Sequence, residues 1–220
     1  MNRVFLRACC GTFAIASAGF AVPLPASGAI DLIPKEAVVR GKTVFAQVAN
    51  NGVHPEYIEI SLSRLRNPGM PLKEEILEDV GDSADPALYA SPFRFSLAPG
   101  QTKTIALKPL KAVASETVYR LNVKPVIRMQ SDRTGVATGS VVISLAFSGI
   151  VRQMPKNERE ALSVVCRAPG TARLSATGTV RVTVKNATVD GRQVDDFNVY
   201  PGVPLTLSGR AVIIPGQPAC

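Results

Sequence analysis

The sequence predicts an all-β protein built from two sandwich domains, and three observations carry this prediction. From Ile30 onward, apolar residues alternate with polar ones at the period of two that is typical of strands. Turn-forming segments such as "NNG" at Asn50 to Gly52 and "NPG" at Asn67 to Gly69 interrupt the alternating runs. A polar segment then divides the runs into two groups, and we expect a domain boundary near Arg152 to Glu158.

The first domain is expected to span residues 30–153 and holds the stronger strand signals. Its alternating sets are Val44, Ala46 and Val48; Ile58, Ile60 and Leu62; Phe93, Phe95 and Leu97; Ile105 and Leu107; and Tyr119, Leu121 and Val123. Residues 71–92 are acidic and weakly patterned, so we expect a long loop or an edge excursion there rather than part of the core, or a short amphipathic helix around "KEEILED" at Lys73 to Asp79.

The end of this domain, "GSVVISLAFSGIVRQMP" from Gly139 to Pro155, has an unusual pattern. Large apolar residues occupy one face of the expected strand, and mostly small residues occupy the other. The large residues are Val141, Ile143, Leu145 and Phe147. Their alternation fits either the core of this protein or the surface of a partner.

The second domain, residues 154–220, is expected to be a short β-sandwich. Its strand signals are Val164 and Val165; Val180, Val182 and Val184; Phe197 to Leu207; and Ala211 to Ile214. A domain of this size is marginal on its own, and a disulfide between Cys166 and Cys220 would close a long loop and stabilise it by roughly 4 kcal/mol. Two free thiols are the alternative.

Residues 1–29 are expected to be a secretory signal peptide. Arg3 and Arg7 give the segment a positive start, and the apolar run from Ala8 to Ala21 is short for a membrane span. Small residues before position 30 favour cleavage after Ala29, and an earlier cleavage after Ala21 is one alternative. The other alternative is that the segment is a membrane anchor. Cleavage after Ala29 leaves a basic, exported chain whose formal charge falls from +8 to +6, and we expect no stable membrane insertion.

The residues needed for catalysis or metal binding are scarce. The only histidine, His54, lies beside a proline in a turn-like stretch, so no base is paired with a nucleophile. The glycines of "GTARLSATG", Gly170 to Gly178, are followed by no phosphate-loop lysine. We therefore expect no enzyme activity, no metal and no cofactor. Dispersed lysines and arginines and the absence of tryptophan argue against nucleic acid as a partner.

An ordered set of motifs resembles the N-terminal domain of periplasmic pilus chaperones, most strongly the alternate-pathway branch that serves class 5 or α-type fimbriae. The set is "IDLIPKEAVVRG" (Ile30 to Gly41), "VFAQVANNG" (Val44 to Gly52), "LSRLRNPG" (Leu62 to Gly69), "SPFRFSLAPGQTKTIAL" (Ser91 to Leu107), "SETVYRLNVKPV" (Ser115 to Val126) and "SVVISLAFSGIVRQMP" (Ser140 to Pro155). The resemblance implies two immunoglobulin-like sandwiches in a boomerang arrangement. It also implies a periplasmic chaperone that binds fimbrial subunits and delivers them to an outer-membrane usher.

The resemblance also assigns roles to particular residues. Val141, Ile143, Leu145 and Phe147 become a donor strand for a pilin that lacks its own last strand. Lys35 and Arg152 become candidates for a carboxylate anchor, the basic residues that hold the C-terminal carboxylate of the pilin, while Ser148 stands where relatives have a lysine. Glu116 and Arg152 become an ion pair between the domains. An exposed donor strand further suggests self-association of the free chaperone.

Two other function classes remain open from the residues alone. A structural pilin or exported immunoglobulin-like adhesion module would offer an alternating donor segment near its mature N-terminus, and "AIDLIPKEAVV" alternates poorly. A secreted enzyme or copper-binding sandwich would need more histidines than His54.

Overall fold

The computed structural model describes residues 29–126 and 146–220, and these residues form an all-β protein, as predicted. Residues 1–28 of the expected signal peptide lie outside the described residues, as do Val141, Ile143 and Leu145 of the expected donor strand. No helix in the described part of the chain is long and apolar enough to cross a membrane.

The first ten strands form two facing sheets, which we call the first sandwich. They are β1 (Ile30–Ile33), β2 (Glu36–Val39), β3 (Val44–Asn50), β4 (Glu56–Leu65), β5 (Leu77–Asp79), β6 (Leu88–Ser91), β7 (Arg94–Leu97), β8 (Thr102–Pro109), β9 (Thr117–Pro125) and β10 (Phe147–Gln153). One sheet has the order β1-β3-β8-β6, and the other has the order β2-β10-β9-β4-β5, with β7 also paired to β4.

The core of the first sandwich follows from the period-two pattern. Residues that alternate along β3, β4, β8 and β9 point between the sheets, where burial of apolar surface stabilises the fold. The predicted core positions that are buried are Ala46, Val48, Ile58, Ile60, Leu62, Leu97, Ile105, Leu107, Tyr119, Leu121 and Val123. Phe93 departs from the prediction, because it precedes β7 and is 52% exposed.

The acidic segment 71–92 is more ordered than the sequence indicates. It contains two short 3-10 turns, Leu72–Glu74 and Val80–Asp82, and the edge strand β5, which pairs with β4. Its last part is β6, whose Leu88 and Ala90 belong to the core. The expectation of a loop outside the core is therefore wrong for β6, because two alternating apolar residues are too few to give a strand signal.

The remaining eight strands form three small sheets around a separate core, and we call them the second sandwich. They are β11 (Leu162–Ala168), β12 (Thr171–Ala176), β13 (Val182–Val184), β14 (Thr188–Val189), β15 (Arg192–Gln193), β16 (Phe197–Val199), β17 (Leu205–Ser208) and β18 (Val212–Ile213). The sheets have the orders β11-β12-β17, β13-β16 and β15-β14-β18.

The strand β12 lies within the glycine-flanked "GTARLSATG" segment and was not predicted. Ala172 and Leu174 are fully buried, while Arg173 between them is exposed. Small alanine side chains weaken the hydrophobic alternation, which is why the segment resembles a loop. The predicted disulfide is present, with the Sγ atoms of Cys166 and Cys220 2.08 Å apart.

Candidate functional site

Among the described residues, pairing covers one edge of the strand β10 only in part. β9 pairs with it along its whole described length, from Phe147 to Gln153, whereas β2 pairs with its other side only from Ile150 onward. The main-chain N–H of Ile150 donates to the carbonyl of Lys35, 2.8 Å away. Main-chain groups alternate in direction along a strand, so the N–H and C=O of Ser148 point to the same side as those of Ile150. Ser148 precedes the residues that pair with β2 on that side. This open edge of β10 can accept another strand.

Phe147 is the one candidate donor residue within the described part of the chain. It shares a face of β10 with Gly149 and Val151, and it packs, partly buried, against the core of the first sandwich. The ammonium of Lys35 lies 5.4 Å from the centre of its ring. The other three candidates have the same parity in the sequence and lie outside the described residues.

Gly149 allows a close approach of β10 to β1 and to the segment between β1 and β2. A Cβ atom built at this position would lie 2.8 Å from Cδ2 of Leu32 and 3.1 Å from the carbonyl oxygen of Lys35. A larger residue would require the buried Leu32 side chain or the main chain at Lys35 to shift. The glycine therefore allows the close packing found where the pairing of β10 with β2 begins.

The two residues expected to form the carboxylate anchor have separate partners. Lys35 is 62% exposed through its side chain and pairs with Asp31, and this hydrogen bond lowers the pKa of the Asp31 carboxyl. Arg152 is only 13% exposed and pairs with Glu116 and Glu36. The structure thus places Lys35 at the start of the open edge and Arg152 at the junction of the two sandwiches.

Glu116 and Arg152 are in direct contact at this junction. The Nε of Arg152 donates to Oε1 of Glu116 at 2.5 Å, and the main-chain N–H of Arg181 donates to Oε2 at 2.7 Å. The main-chain N–H of Glu116 donates to the carbonyl of Thr179 at 2.8 Å. Although burial opposes the charged form of Arg152, its bonds to Glu116 and Glu36 raise its pKa. Glu116 therefore ties the first sandwich to the segment that leads into β13.

Arg181 is a functional candidate that the sequence analysis did not identify. Its Nη2 lies 3.6 Å from Oε1 of Glu36, the same oxygen that accepts from Nη1 of Arg152 at 3.1 Å. Its Nη1 donates to the hydroxyl of Tyr200 at 3.0 Å, and its guanidinium lies 5.9 Å from the centre of that ring. We call Glu36, Glu116, Arg152 and Arg181 the junction cluster. No sequence signal marks Arg181, because its partners are distant in the chain.

Ser148 belongs to an uncharged network. Its hydroxyl donates to Oδ1 of Asn122 at 3.1 Å, and Nδ2 of Asn122 lies 3.4 Å from the hydroxyls of Ser61 and Ser63. The nearby Arg120 is paired with Glu75, its Nε 2.9 Å from Oε2. Ser148 and its described neighbours on this face therefore supply hydrogen-bonding groups, and the arginine among them, Arg120, is already paired.

An apolar contact lies beside the junction cluster. Leu65, Val118 and Tyr200 are buried together, and Ile150 and Val203 pack against them. Ile150 is on the same face of β10 as Arg152, so this face of the strand contacts the second sandwich while the opposite face contacts the core of the first. Among the described residues, no group of three or more histidines, cysteines and acids could hold a metal ion.

No protein-family model matches the chain. Among curated proteins, it is similar to the CS1 fimbrial B subunit of Escherichia coli, with 22% identity over 195 residues that cover 82% of this chain and 81% of that protein. It is also similar to the CFA/I fimbrial A subunit of Escherichia coli, with 25% identity over 149 residues that cover 66% of this chain and 61% of that protein.

Solved structures show which fold this is. The class 5 fimbriae chaperone CfaA matches with a TM-score of 0.66 and 20% identity over 86% of this chain and 93% of its own. A chain of a chaperone and tip adhesin complex of CFA/I fimbriae matches with a TM-score of 0.67 and 22% identity over 85% and 94% of the two chains. A chain of the Salmonella enterica SafA pilin and SafB chaperone complex matches with a TM-score of 0.57 and 15% identity, over 91% and 95%. The chain has the fold of the solved fimbrial chaperones.

Proposed function

We propose that this protein is a periplasmic chaperone that binds fimbrial subunits by donating a strand to them and delivers them to an outer-membrane usher. The observation that carries the proposal is the open edge of β10 at Ser148, next to the predicted donor residues. Residues 30–153 form the pilin-binding domain in this proposal, and residues 154–220 form the second domain. The likeness to solved chaperones, some of them in complexes with a pilin or a tip adhesin, supports it.

The donor strand supplies both main-chain and side-chain contacts. A partner strand on the open edge would pair with the main chain of Ser148 and of the residues before it, as in other cases of strand addition. Val141, Ile143 and Leu145 would project toward the groove of the pilin, while Phe147, partly buried against the core of the first sandwich, would lie at the end of this donor face. Burial of three such side chains contributes roughly 4.5–9 kcal/mol before the entropy loss of association is subtracted. This gain is large enough to hold a pilin that lacks a strand.

The carboxylate anchor fixes the register of the donated strand. A pilin whose C-terminal carboxylate pairs with Arg152 or Lys35 can slide no further along β10, and a slip of one residue would turn every donor side chain to the wrong face. Arg152 is the better placed of the two, because Glu116 already holds its guanidinium. Lys35, at the start of the open edge, contacts Phe147 and is more exposed.

The assembly energy in this proposal comes from pilin folding and strand exchange, so the protein is not an enzyme and requires no nucleotide or other cofactor. An open apolar edge is a hazard for aggregation in a free chaperone. Self-association through the donor strand would cover that edge until a pilin replaces the second copy.

Co-purification from the periplasm tests the proposal. The mature chain is co-expressed with a pilin from the same gene cluster, and the wild type is compared with the double variant Ile143→Asp and Leu145→Asp. A one-to-one complex is expected with the wild type and none with the double variant. Val165→Asp is the matched control, because Val165 is a 46% exposed apolar residue on β11, and it should leave the complex intact.

The thermal unfolding of each purified variant separates loss of binding from loss of folding. The proposal requires the double variant to unfold at the same temperature as the wild type while it fails to bind. If the double variant unfolds early, the alternating residues belong to the core of this protein. If the wild type instead forms homopolymers and binds no pilin, it is a structural pilus component, the alternative that the names of the two curated relatives suggest.

A further inference from the structure

The junction cluster contains two carboxylates that are held very differently. The Glu116 side chain is 0% exposed, and its two oxygens accept from Arg152 and from the main chain of Arg181. The Glu36 side chain is 45% exposed, and its contacts with Arg152 and Arg181 both fall on one oxygen, Oε1. Another anion can therefore replace Glu36 while Glu116 keeps the cluster together.

The two arginines stay in place without Glu36. Arg152 is held at Nε by Glu116, and Arg181 is held at Nη1 by the Tyr200 hydroxyl. Their remaining Nη atoms approach the same oxygen of Glu36, at 3.1 Å from Arg152 and 3.6 Å from Arg181. Two guanidiniums, one from each sandwich, thus form a ready site for a carboxylate.

The position of Glu36 relates this site to the open edge. Glu36 is the first residue of β2 and is the partner of Ile150 on β10. A strand that occupies the open edge must end where β2 begins, so its terminal group lies beside Glu36. Because Arg152 and Arg181 meet there, a terminal carboxylate is favoured over a terminal ammonium.

We infer that Glu36 is an internal carboxylate that occupies the anchor in the free protein, and that the carboxylate of a bound pilin displaces it from Arg152 and Arg181. The inference rests on the proposed function and extends the anchor to Arg181 of the second sandwich. Binding then exchanges one ion pair for another, and the affinity reflects the difference between the two carboxylates.

A peptide titration tests the inference. The probe is a synthetic peptide with the C-terminal sequence of the co-expressed pilin, prepared with a free carboxylate and with a C-terminal amide, and binding is measured by isothermal titration calorimetry. Glu36→Gln should bind the carboxylate peptide up to about fivefold more tightly than the wild type, the range expected when an exposed ion pair no longer competes. It should bind the amide peptide unchanged.

Arg181→Met provides the opposite change. It should bind the carboxylate peptide more weakly, by up to about tenfold, because Glu36 loses the same partner and offsets part of the lost charge-assisted hydrogen bond, and it should bind the amide peptide as the wild type does. Tyr200→Phe, which removes only the hydroxyl that holds Arg181, should weaken binding in the same direction but less. Glu78→Gln is the matched control, because Glu78 pairs with Arg66 in an exposed ion pair within the first sandwich, outside the junction cluster.

The outcomes distinguish this inference from the proposed function. If the wild type prefers the carboxylate peptide but Glu36→Gln gives no tighter binding, Glu36 is no competitor and the inference is wrong. If Arg181→Met binds as the wild type does, Arg181 is not part of the anchor. If the wild type binds neither the peptides nor the intact pilin, the proposed function itself fails.

Discussion

Glu116→Gln tests how strongly the junction cluster couples the two sandwiches. The carboxylate of Glu116 accepts two hydrogen bonds, from Nε of Arg152 at 2.5 Å and from the main-chain N–H of Arg181 at 2.7 Å. A glutamine amide has one oxygen and one NH2 group, so one of these donors would face another donor. The side chain is 0% exposed, and water cannot replace the lost acceptor without opening the junction.

The expected loss follows from the charges that remain. Removing one partner of a buried ion pair costs about 3–5 kcal/mol, since the other charge stays buried without compensation. Arg152 keeps Glu36 as a second partner and is 13% exposed, so the lower part of this range applies. We expect Glu116→Gln to lower the free energy of unfolding by about 3 kcal/mol, which is a factor of about 100 in the unfolding equilibrium.

Urea denaturation followed by far-ultraviolet circular dichroism measures this loss, since the protein has no tryptophan for fluorescence. The control is Glu78→Gln, which breaks an exposed pair with Arg66 within the first sandwich and should cost less than about 1 kcal/mol. A double-mutant cycle with Arg152→Met should give a coupling energy above about 1 kcal/mol. Equal losses for Glu116→Gln and Glu78→Gln, or no coupling, would refute the assignment of Glu116 as the link between the sandwiches.

Three further predictions concern stability. Burial raises the pKa of Tyr119 from 10.0 to about 12, so this tyrosine ionises at lower pH in the unfolded chain than in the folded one. The free energy of unfolding, measured in urea titrations, should therefore fall as pH rises from 10 to 12, and Tyr119→Phe should lose this dependence. Gly178→Ala would place a Cβ atom 2.0 Å from the carbonyl oxygen of Arg159, and a loss of about 1–3 kcal/mol or more is expected in thermal unfolding. Cys220→Ser opens the loop closed by Cys166, so it should cost about 4 kcal/mol and make the urea midpoint insensitive to dithiothreitol.

The sequence predicted the strands whose large apolar residues alternate over several positions. β3, β4, β8 and β9 each place at least two such residues in the core, so their period is clear. β6 and β12 were missed because short runs and small side chains give a weak pattern, although Leu88 and Leu174 are fully buried. Packing against neighbouring strands, which a single sequence does not show, makes these segments strands.

The candidate site, like the fold, could be predicted from the sequence only in part. The resemblance to pilus chaperones brought Glu116 and Arg152 together as a hypothesis, and the structure places them in contact. Arg181 and the competing role of Glu36 were beyond sequence reasoning, because they depend on how the second sandwich meets the first. Arg181 is one basic residue before an ordinary strand, and nothing in its local pattern distinguishes it from the other arginines of the second sandwich.

In the proposed mechanism, the two faces and the open edge of β10 each make a different contact. One face, with Phe147 and Val151, contacts the core of the first sandwich. The other face, with Ile150 and Arg152, contacts the second sandwich. The remaining direction is the open edge beside Ser148. Because successive side chains alternate between the faces, a substitution at a donor position should abolish pilin binding without loosening the junction. A substitution at the junction should alter the register and affinity of a bound pilin while the donor face stays intact.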